Sequence, residues 1–160
     1  DLLAHHMPSE SVLVLRDYHA ENMIWLPDRD GVRRIGLLDF QDALLGRNTF
    51  ESIGKPLPNR TTIIITRNSN YTQEGCLIAN SVEDALDMAK NDHQIYIIGG
   101  AQIYKYAIEN DLVDVLDITL VHQEFEADVF FPEIDLNIWE EVKREDFIAD
   151  EKNKFDYSFI

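Results

Sequence analysis

Two uninterrupted runs of aliphatic and β-branched residues constrain the fold of this chain more than any other feature. Residues 61–66 read TTIIIT and residues 95–98 read IYII. This composition favours strands, and its apolar character predicts that both strands are buried in a sheet. The second run leads directly into Gly99 and Gly100, and a segment of helical character follows at 101–109. Strands that alternate with helices indicate an α/β fold.

Other segments continue this alternation along the chain. Ser81 is a good helix N-cap, and Asp84 at the third helical position resembles a capping box, so a helix is predicted from residue 82. A Pro-containing turn at 27–31 ends in Asp-Gly and lies between apolar runs, which predicts a β-hairpin. Further predicted elements are strands at 11–15, 34–38 and 113–121, a helix at 48–53, loops at 55–59 and 67–75, and a closing antiparallel pair at 139–147 and 155–160.

Composition limits the partners and the cellular location of the chain. The formal net charge is -16, with 30 acidic and 14 basic residues, so the chain should repel nucleic acid and anionic membrane surfaces. No apolar run approaches the roughly 18 residues of a membrane helix. Cys76 is the one cysteine, which excludes an internal disulfide and suits a reducing compartment. We expect a cytoplasmic monomer without a metal site, because the acidic residues are spread out and do not converge.

The Gly99-Gly100 pair between a strand and a helix suits an anion. Without a Cβ atom, glycine lets a ligand approach the backbone closely. The start of the following helix offers unpaired N–H groups and the positive end of the helix dipole, which together favour a pyrophosphate. The pair does not match the G-x-G-x-x-G fingerprint, and a simple tight turn remains the alternative interpretation.

A second helix start carries a positive charge. Gly46, Arg47, Asn48 and Thr49 precede or begin the helix predicted at 48–53. Arg67 follows the TTIIIT strand, at the end where open α/β sheets bind ligands. Because guanidinium groups pair well with phosphate, two helix starts and two arginines predict a dinucleotide with an extra phosphate, NADPH rather than NADH.

Five segments, in their order and spacing, resemble the dihydrofolate reductase family. They read GRNTFESIGKPLPNR (46–60), TTIIITRN (61–68), IYIIGGAQIY (95–104), LDITLV (116–121) and ADVFFPEID (127–135). The resemblance spans residues 46–160. It implies an eight-stranded, mostly parallel sheet with flanking helices, and NADPH-dependent reduction of dihydrofolate to tetrahydrofolate.

The resemblance also implies which residues bind the cofactor. The adenosine phosphates would be held by Asn48, Thr49, Thr66 and Arg67, with Asn80 nearby. The pyrophosphate and the nicotinamide would be cradled by Gly99, Gly100, Ala101, Gln102, Ile103 and Tyr104, with a cis peptide between the two glycines.

Substrate-binding residues are implied in the same way. Arg60 would bind the glutamate carboxylate of the folate, a bidentate task that suits arginine. The aminobenzoyl channel would be lined by Ile53, Lys55 and Leu57, and the ring junction by Ile98 and Tyr104. Thr119 would hydrogen-bond the catalytic acid and the pterin. On pattern alone, Ile53, Leu57 and Ile98 are equally core residues and Arg60 is a surface charge.

Residues 1–45 do not show the reductase pattern. The stretch VLVLRDYHAENMIWLPDRDGVRRIGLLDFQDALLG (12–46) resembles phosphotransferases of the aminoglycoside and sugar-kinase type. That resemblance implies that Asp17 orients or deprotonates an acceptor hydroxyl and that Asn22 and Asp39 hold magnesium. Because no nucleotide-binding lobe accompanies these side chains, we expect a phosphotransferase fragment without kinase activity.

The chain is therefore interpreted as a chimera, with a fragment at 1–45 and a reductase body at 46–160 in one structural domain. The strands at 12–15 and 34–38 would fill the sheet positions of the reductase's first strands, since open positions would expose apolar surface and unpaired backbone. Arg29 stands where the family's catalytic acid is expected, so Asp28 and Asp30 are the candidates, or else turn residues. The alternatives are a catalytically dead NADPH-binding module, a misfolded chimera and, third, a phosphotransferase.

Overall fold

The structure, a computed structural model, describes residues 10–15, 42–58, 60–92 and 94–160. Three helices flank one sheet in these ranges. The elements, in chain order, are β1 (Glu10–Leu15), β2 (Asp42–Gly46), α1 (Arg47–Ile53), β3 (Thr61–Ile65), β4 (Leu77–Ala79), α2 (Val82–Ala89), β5 (Gln94–Ile97), α3 (Ala101–Glu109), β6 (Val115–Val121), β7 (Glu145–Phe147) and β8 (Tyr157–Phe159).

The sheet formed by the described strands has eight members in the order β4-β3-β2-β5-β1-β6-β8-β7. The six neighbouring strands β4, β3, β2, β5, β1 and β6 all pair in parallel. β8 is antiparallel to both β6 and β7. The prediction of an α/β fold with a mostly parallel, eight-stranded sheet is confirmed.

β1 lies in the middle of this sheet. Its residues pair with β5 from Glu10↔Gln94 and with β6 from Val12↔Val115. The strand predicted at 11–15 is therefore confirmed, and it contributes backbone pairing on both of its edges. The hairpin predicted around 27–31, the strand predicted at 34–38, and Asp17, Asn22, Asp28, Asp30 and Asp39 lie outside the described residues.

β2 is a central strand that the sequence pattern did not predict. It pairs in parallel with both β3 and β5, and Ala43, Leu44 and Leu45 are 0% exposed. The stretch DALLG has no β-branched residue, so its local propensity for a strand is low. Pairing on both sides and burial of both faces stabilise it instead, and these depend on the rest of the sheet.

The core is built on both faces of the parallel part of the sheet. Ile63 and Ile65 lie in one cluster with residues of α2 and α3, whereas Ile64 lies in the other cluster with Phe50 of α1. Alternate residues of a strand point to opposite faces, so the two clusters lie on opposite sides of the sheet. Coverage of both faces explains why the strands are continuous apolar runs rather than alternating ones.

The closing antiparallel pair is shorter than predicted. The antiparallel pairing is confirmed by Glu145↔Phe159 and Phe147↔Tyr157. The prediction of a strand over residues 139–144 is wrong, because β7 begins at Glu145. Trp139 instead packs, half-buried, against the core cluster that contains α2 and α3. Burial of that large ring against the core takes precedence over its strand propensity.

Candidate active site

The direction of the chain connections changes between β2 and β5. From β2 the chain passes through α1 to β3, and from β5 it passes through α3 to β6, which lies toward the opposite edge of the sheet. β2 and β5 are themselves paired up to Leu44↔Ile97. Open α/β sheets bind ligands beyond the carboxyl ends of the strands at such a switch point. The fold therefore selects the edge between these two strands as a ligand site.

The glycine pair lies at this switch point. The peptide between Gly99 and Gly100 is cis, as the resemblance implied. The amide of Gly46, at the end of β2, donates to the carbonyl oxygen of Gly99 over 2.8 Å. Gly100 is the N-cap of α3, with no side-chain cap and no acidic residue in the first turn. The start of α3 therefore presents backbone N–H groups and a positive dipole end to an anion.

Thr49 explains why both residues are glycine. A Cβ atom on Gly100 would lie 2.9 Å from Thr49 Oγ1, and one on Gly99 would lie 3.1 Å from Thr49 Cγ2. Gly99 also has a φ of 139°, which L-residues rarely adopt. The helix starts that the sequence marked separately thus touch each other and form one site. Close packing between the starts of α1 and α3 is therefore enough to require glycine at both positions, whether or not a ligand is bound.

Thr66, Arg67 and Asn80 lie at the same edge of the sheet. Gly46 pairs with Ile65 in register, so Arg47, the first residue of α1, and Thr66 directly follow the paired ends of β2 and β3. The Thr66 amide donates to the Ala79 carbonyl oxygen over 3.0 Å, which joins the ends of β3 and β4. The residues assigned to the cofactor therefore lie at the carboxyl ends of four consecutive strands, β4, β3, β2 and β5.

Thr66 and Arg67 differ in their exposure. Thr66 is 8% exposed, and its Oγ1 atom accepts a hydrogen bond from the Asn68 amide over 3.2 Å. Arg67 and Asn80 are exposed. A short buried hydroxyl next to an exposed guanidinium is an arrangement that can hydrogen-bond and neutralise a phosphate.

Ile53, Leu57 and Ile98 are brought together by the fold. Ile98 is 2% exposed and belongs to the cluster on the α1 face, against which half-buried Ile53 and Leu57 pack. Tyr104 belongs to the cluster on the opposite face, where its ring meets Phe131 edge-on with a centroid separation of 5.4 Å. The ring-junction pair implied by the resemblance is therefore divided between the two core clusters.

The loop after α1 carries Lys55 and Arg60. α1 ends at Ile53, and its C-cap residue Gly54 has a left-handed φ of 75°. The amide of Leu57 donates to the buried Thr62 Oγ1 over 3.1 Å, and Arg60 Nε donates to the Pro58 carbonyl oxygen over 3.0 Å. Lys55 is exposed and precedes both contacts in the chain. These hydrogen bonds join the loop to β3 and the Arg60 side chain to the backbone of the loop.

Thr119 lies on the other side of the switch point. It is half-buried on β6 and pairs with Phe159 of β8. It follows Ile118, which is the last β6 residue paired with β1. The strands β5 and β1 separate Thr119 from β2, so the residues assigned to the substrate span several strands of the sheet.

Cys76 belongs to the apolar packing of the α1 face. It lies half-buried against the same cluster as Ile53 and Leu57. Burial raises the pKa of the Cys76 thiol, so the thiol stays protonated at neutral pH. A protonated, half-buried thiol is a small packing residue rather than a nucleophile.

Glu51 was not identified from the sequence as the partner of Arg47. Arg47 NH1 lies 3.0 Å from Glu51 Oε1, and both side chains are about half exposed. The spacing of four residues within a helix was the available signal, because such side chains lie on the same helical face.

Two kinds of feature are absent from the part of the chain that the structure describes. It contains no group of three or more His, Cys, Asp or Glu side chains placed to hold a metal ion. Its helices are all too short or too polar to cross a membrane.

Comparisons with known proteins agree with this geometry. Residues 40–160 match the family model "Dihydrofolate reductase", and residues 1–51 match the model "Phosphotransferase enzyme family". The dihydrofolate reductase of Staphylococcus haemolyticus is 42% identical over 116 residues, which cover 72% of this chain and 69% of that protein. The dihydrofolate reductase of Bacillus subtilis (strain 168) is 42% identical over 120 residues, which cover 73% and 68%.

A solved structure extends the similarity to the whole sheet. The dihydrofolate reductase from Enterococcus faecalis, complexed with NADP(H) and RAB-propyl, has a TM-score of 0.76 and 34% sequence identity. The similarity covers 96% of both chains. Sequence relatives, a family model and this structure therefore agree on the same body of the chain. This chain belongs to the dihydrofolate reductase family.

Proposed function

We propose that this chain reduces dihydrofolate to tetrahydrofolate with NADPH as the hydride donor. The observation that carries the proposal is the switch point between β2 and β5, where the uncapped start of α3 follows the Gly99-Gly100 pair. Membership of the family supports the reaction, and the local geometry supports a cofactor site at this point of the sheet.

The residues at the switch point fit a phosphorylated dinucleotide. The start of α3 at Gly100 has no side-chain cap and no acidic residue in its first turn, so its backbone N–H groups are available to a pyrophosphate. Arg47 and Arg67 supply positive charge at the ends of neighbouring strands. The other residues proposed to contact the cofactor are Asn48, Thr66, Asn80, Ala101, Gln102, Ile103 and Tyr104.

The α1 face is proposed to hold the folate. Ile53, Leu57 and Ile98 already form an apolar surface there, which suits an aromatic ring system. Arg60 and Lys55 supply positive charge in the following loop for the substrate's carboxylates, and Thr119 supplies a hydroxyl on β6. The acid that supports protonation of the pterin nitrogen is proposed to be Asp28 or Asp30.

The chain is further proposed to combine two ancestries in one structural domain. The phosphotransferase match at 1–51 and the reductase match at 40–160 overlap at 40–51, which supports a junction near the boundary drawn after residue 45. β1, from the phosphotransferase-like part, pairs with β5 and β6, and this supports a shared sheet. We expect the protein to act as a cytoplasmic monomer.

Dihydrofolate-dependent oxidation of NADPH by the purified chain tests the proposed reaction. The expected result is turnover above the background without enzyme, blocked by an antifolate. Lys105→Gln is a matched control for arginine substitutions in the site, because Lys105 is an exposed base on α3, paired with Glu109 near the end of that helix. Arg67→Gln should raise the KM for NADPH, whereas Lys105→Gln should not. Absence of turnover in the unaltered chain would refute the proposed reaction.

The second candidate function is NADPH binding without turnover. The phosphotransferase match favours it, because residues 1–51 include Asp28 and Asp30, the candidates for the catalytic acid. Fluorescence titration with NADPH separates the two functions. Binding without turnover supports this second candidate, and binding with turnover supports the reductase.

A further inference from the structure

Arg47 is already paired with a carboxylate before any cofactor is considered. Its NH1 atom lies 3.0 Å from Glu51 Oε1, four residues further along α1. The side chains are 42% and 48% exposed, so the pair faces solvent at the edge of the site. Exposed pairs of this kind contribute little to stability, so an effect of Glu51 should appear mainly in ligand binding.

Arg67 provides the contrast. Gly46 pairs with Ile65, so Arg47 and Arg67 follow within two residues of the paired ends of neighbouring strands. No ion pair involves Arg67 among the residues that the structure describes. Within the described ranges, the edge thus offers Arg47 with a carboxylate partner and Arg67 without one.

We propose that Glu51 sets the preference of the site for phosphorylated over unphosphorylated nicotinamide cofactor by competing with the cofactor's additional phosphate for Arg47. This inference rests on the proposed function, since it requires NADPH at the switch point. Arg67 is available to the phosphate from the start. Arg47 contributes fully only after its guanidinium has released Glu51 and paired with the phosphate. Glu51 is therefore a positioning residue that lowers the affinity for NADPH more than that for NADH.

The physical basis is the charge at the rim of the site. A carboxylate in contact with Arg47 occupies part of its donor fork, and arginine binds phosphate best when two N–H groups are available. Releasing Arg47 from an exposed ion pair of this kind lowers the affinity by a factor of up to about five. NADH lacks the additional phosphate and should respond less.

Equilibrium binding of NADPH and NADH to Glu51→Gln tests this inference. We expect about threefold to fivefold tighter NADPH binding at low ionic strength, because the Arg47–Glu51 pair no longer has to be broken, and a smaller change for NADH. The NADPH effect should shrink at about 1 M salt, where the screening length falls to about 3 Å. In an Arg47→Gln background, most of the effect of Glu51→Gln should disappear, because the partner through which Glu51 acts is gone.

Glu109→Gln is the matched control. Glu109 forms the same type of pair with Lys105 on α3, at an Nζ–Oε1 distance of 3.6 Å and 60% exposure, away from the glycine pair. It removes the same charge and should leave both affinities unchanged. Equal responses of NADPH and NADH to Glu51→Gln, no response, or an undiminished response in the Arg47→Gln background would each overturn the inference. Failure of the unaltered chain to bind NADPH would instead overturn the proposed function, and the inference with it.

Discussion

Replacing Gly100 by alanine adds one methyl group where the starts of α1 and α3 touch. Gly100 has a φ of -95°, which alanine adopts readily, so the cost comes from the contact and not from the local backbone. The new carbon would lie 2.9 Å from Thr49 Oγ1, and ordinary contacts of this kind begin at 3.4 Å. The two segments must therefore separate by about 0.5 Å, or Thr49 must turn.

The expected cost is that of overpacking a close contact, about 1–3 kcal/mol in the free energy of unfolding. Thr49 is β-branched and lies in a helix, where its χ1 angle has few alternatives, so relief by rotation is limited. For a domain of this size, each kcal/mol lowers Tm by about 2–4 °C. Urea unfolding gives the free energy directly.

A double-mutant cycle makes the reasoning refutable. Thr49→Ala removes Oγ1, so Gly100→Ala should cost much less in that background, whereas Thr49→Ser keeps Oγ1 and should not rescue. Gly54→Ala is the control, because Gly54 has a φ of 75° and a Cβ there would meet nothing within 4 Å. Its cost is conformational and should add independently to that of Thr49→Ala. A coupling energy below about 0.5 kcal/mol between Gly100→Ala and Thr49→Ala would refute the steric account.

Two further predictions concern α2. Ser81→Ala removes the cap in which Ser81 Oγ accepts from the Asp84 amide over 3.0 Å, and urea unfolding should show a free energy of unfolding lower by about 1 kcal/mol. Ser81→Asp keeps an acceptor at this position and should retain most of the stability. Equal losses for both variants would argue against the cap. Tyr106→Phe removes the hydrogen bond that chiefly lowers the pKa of Glu83, so that pKa should rise toward its ordinary value in an NMR titration. Because the folded pKa lies below the unfolded one, the stabilisation is present above the unfolded pKa and is lost as pH falls through the folded pKa. The difference in stability between the unaltered chain and Tyr106→Phe should therefore shrink on acidification, and an unchanged Glu83 titration would contradict this account.

Much of the local structure is determined by short stretches of sequence. The β-branched run of residues 61–66 forms β3 because its side chains suit a buried strand in almost any context. Ser81 caps α2 through a contact with Asp84, three residues away. α3 begins directly after the glycine pair, as the sequence predicted. These features depend on neighbours within one or two turns of chain, so the sequence alone was sufficient.

The candidate site was predictable in part. The sequence marked Gly46 to Thr49 and Gly99 to Gly100 as two separate anion sites, and the structure joins them through the contact of Thr49 with both glycines. It also indicated that Arg67 follows the strand at 61–66 at the end where open α/β sheets bind ligands. It did not reveal that Glu51 pairs with Arg47, because the i, i+4 spacing permits such a pair without requiring it.

The strand order was decided by the tertiary structure. β2 has weak strand propensity, yet it becomes a central strand whose three middle residues are fully buried, because β3 and β5 pair with it on both sides. The adjacency of β2 and β5, which creates the switch point, joins segments about fifty residues apart in sequence. Residues 139–144, predicted as a strand, instead include Trp139, which packs against a core cluster formed by residues distant in sequence. The sequence alone determined which segments are apolar and which favour strands or helices. Which strands pair with one another depends on the pairing and packing energies of the whole sheet, and no local sequence pattern contains these energies.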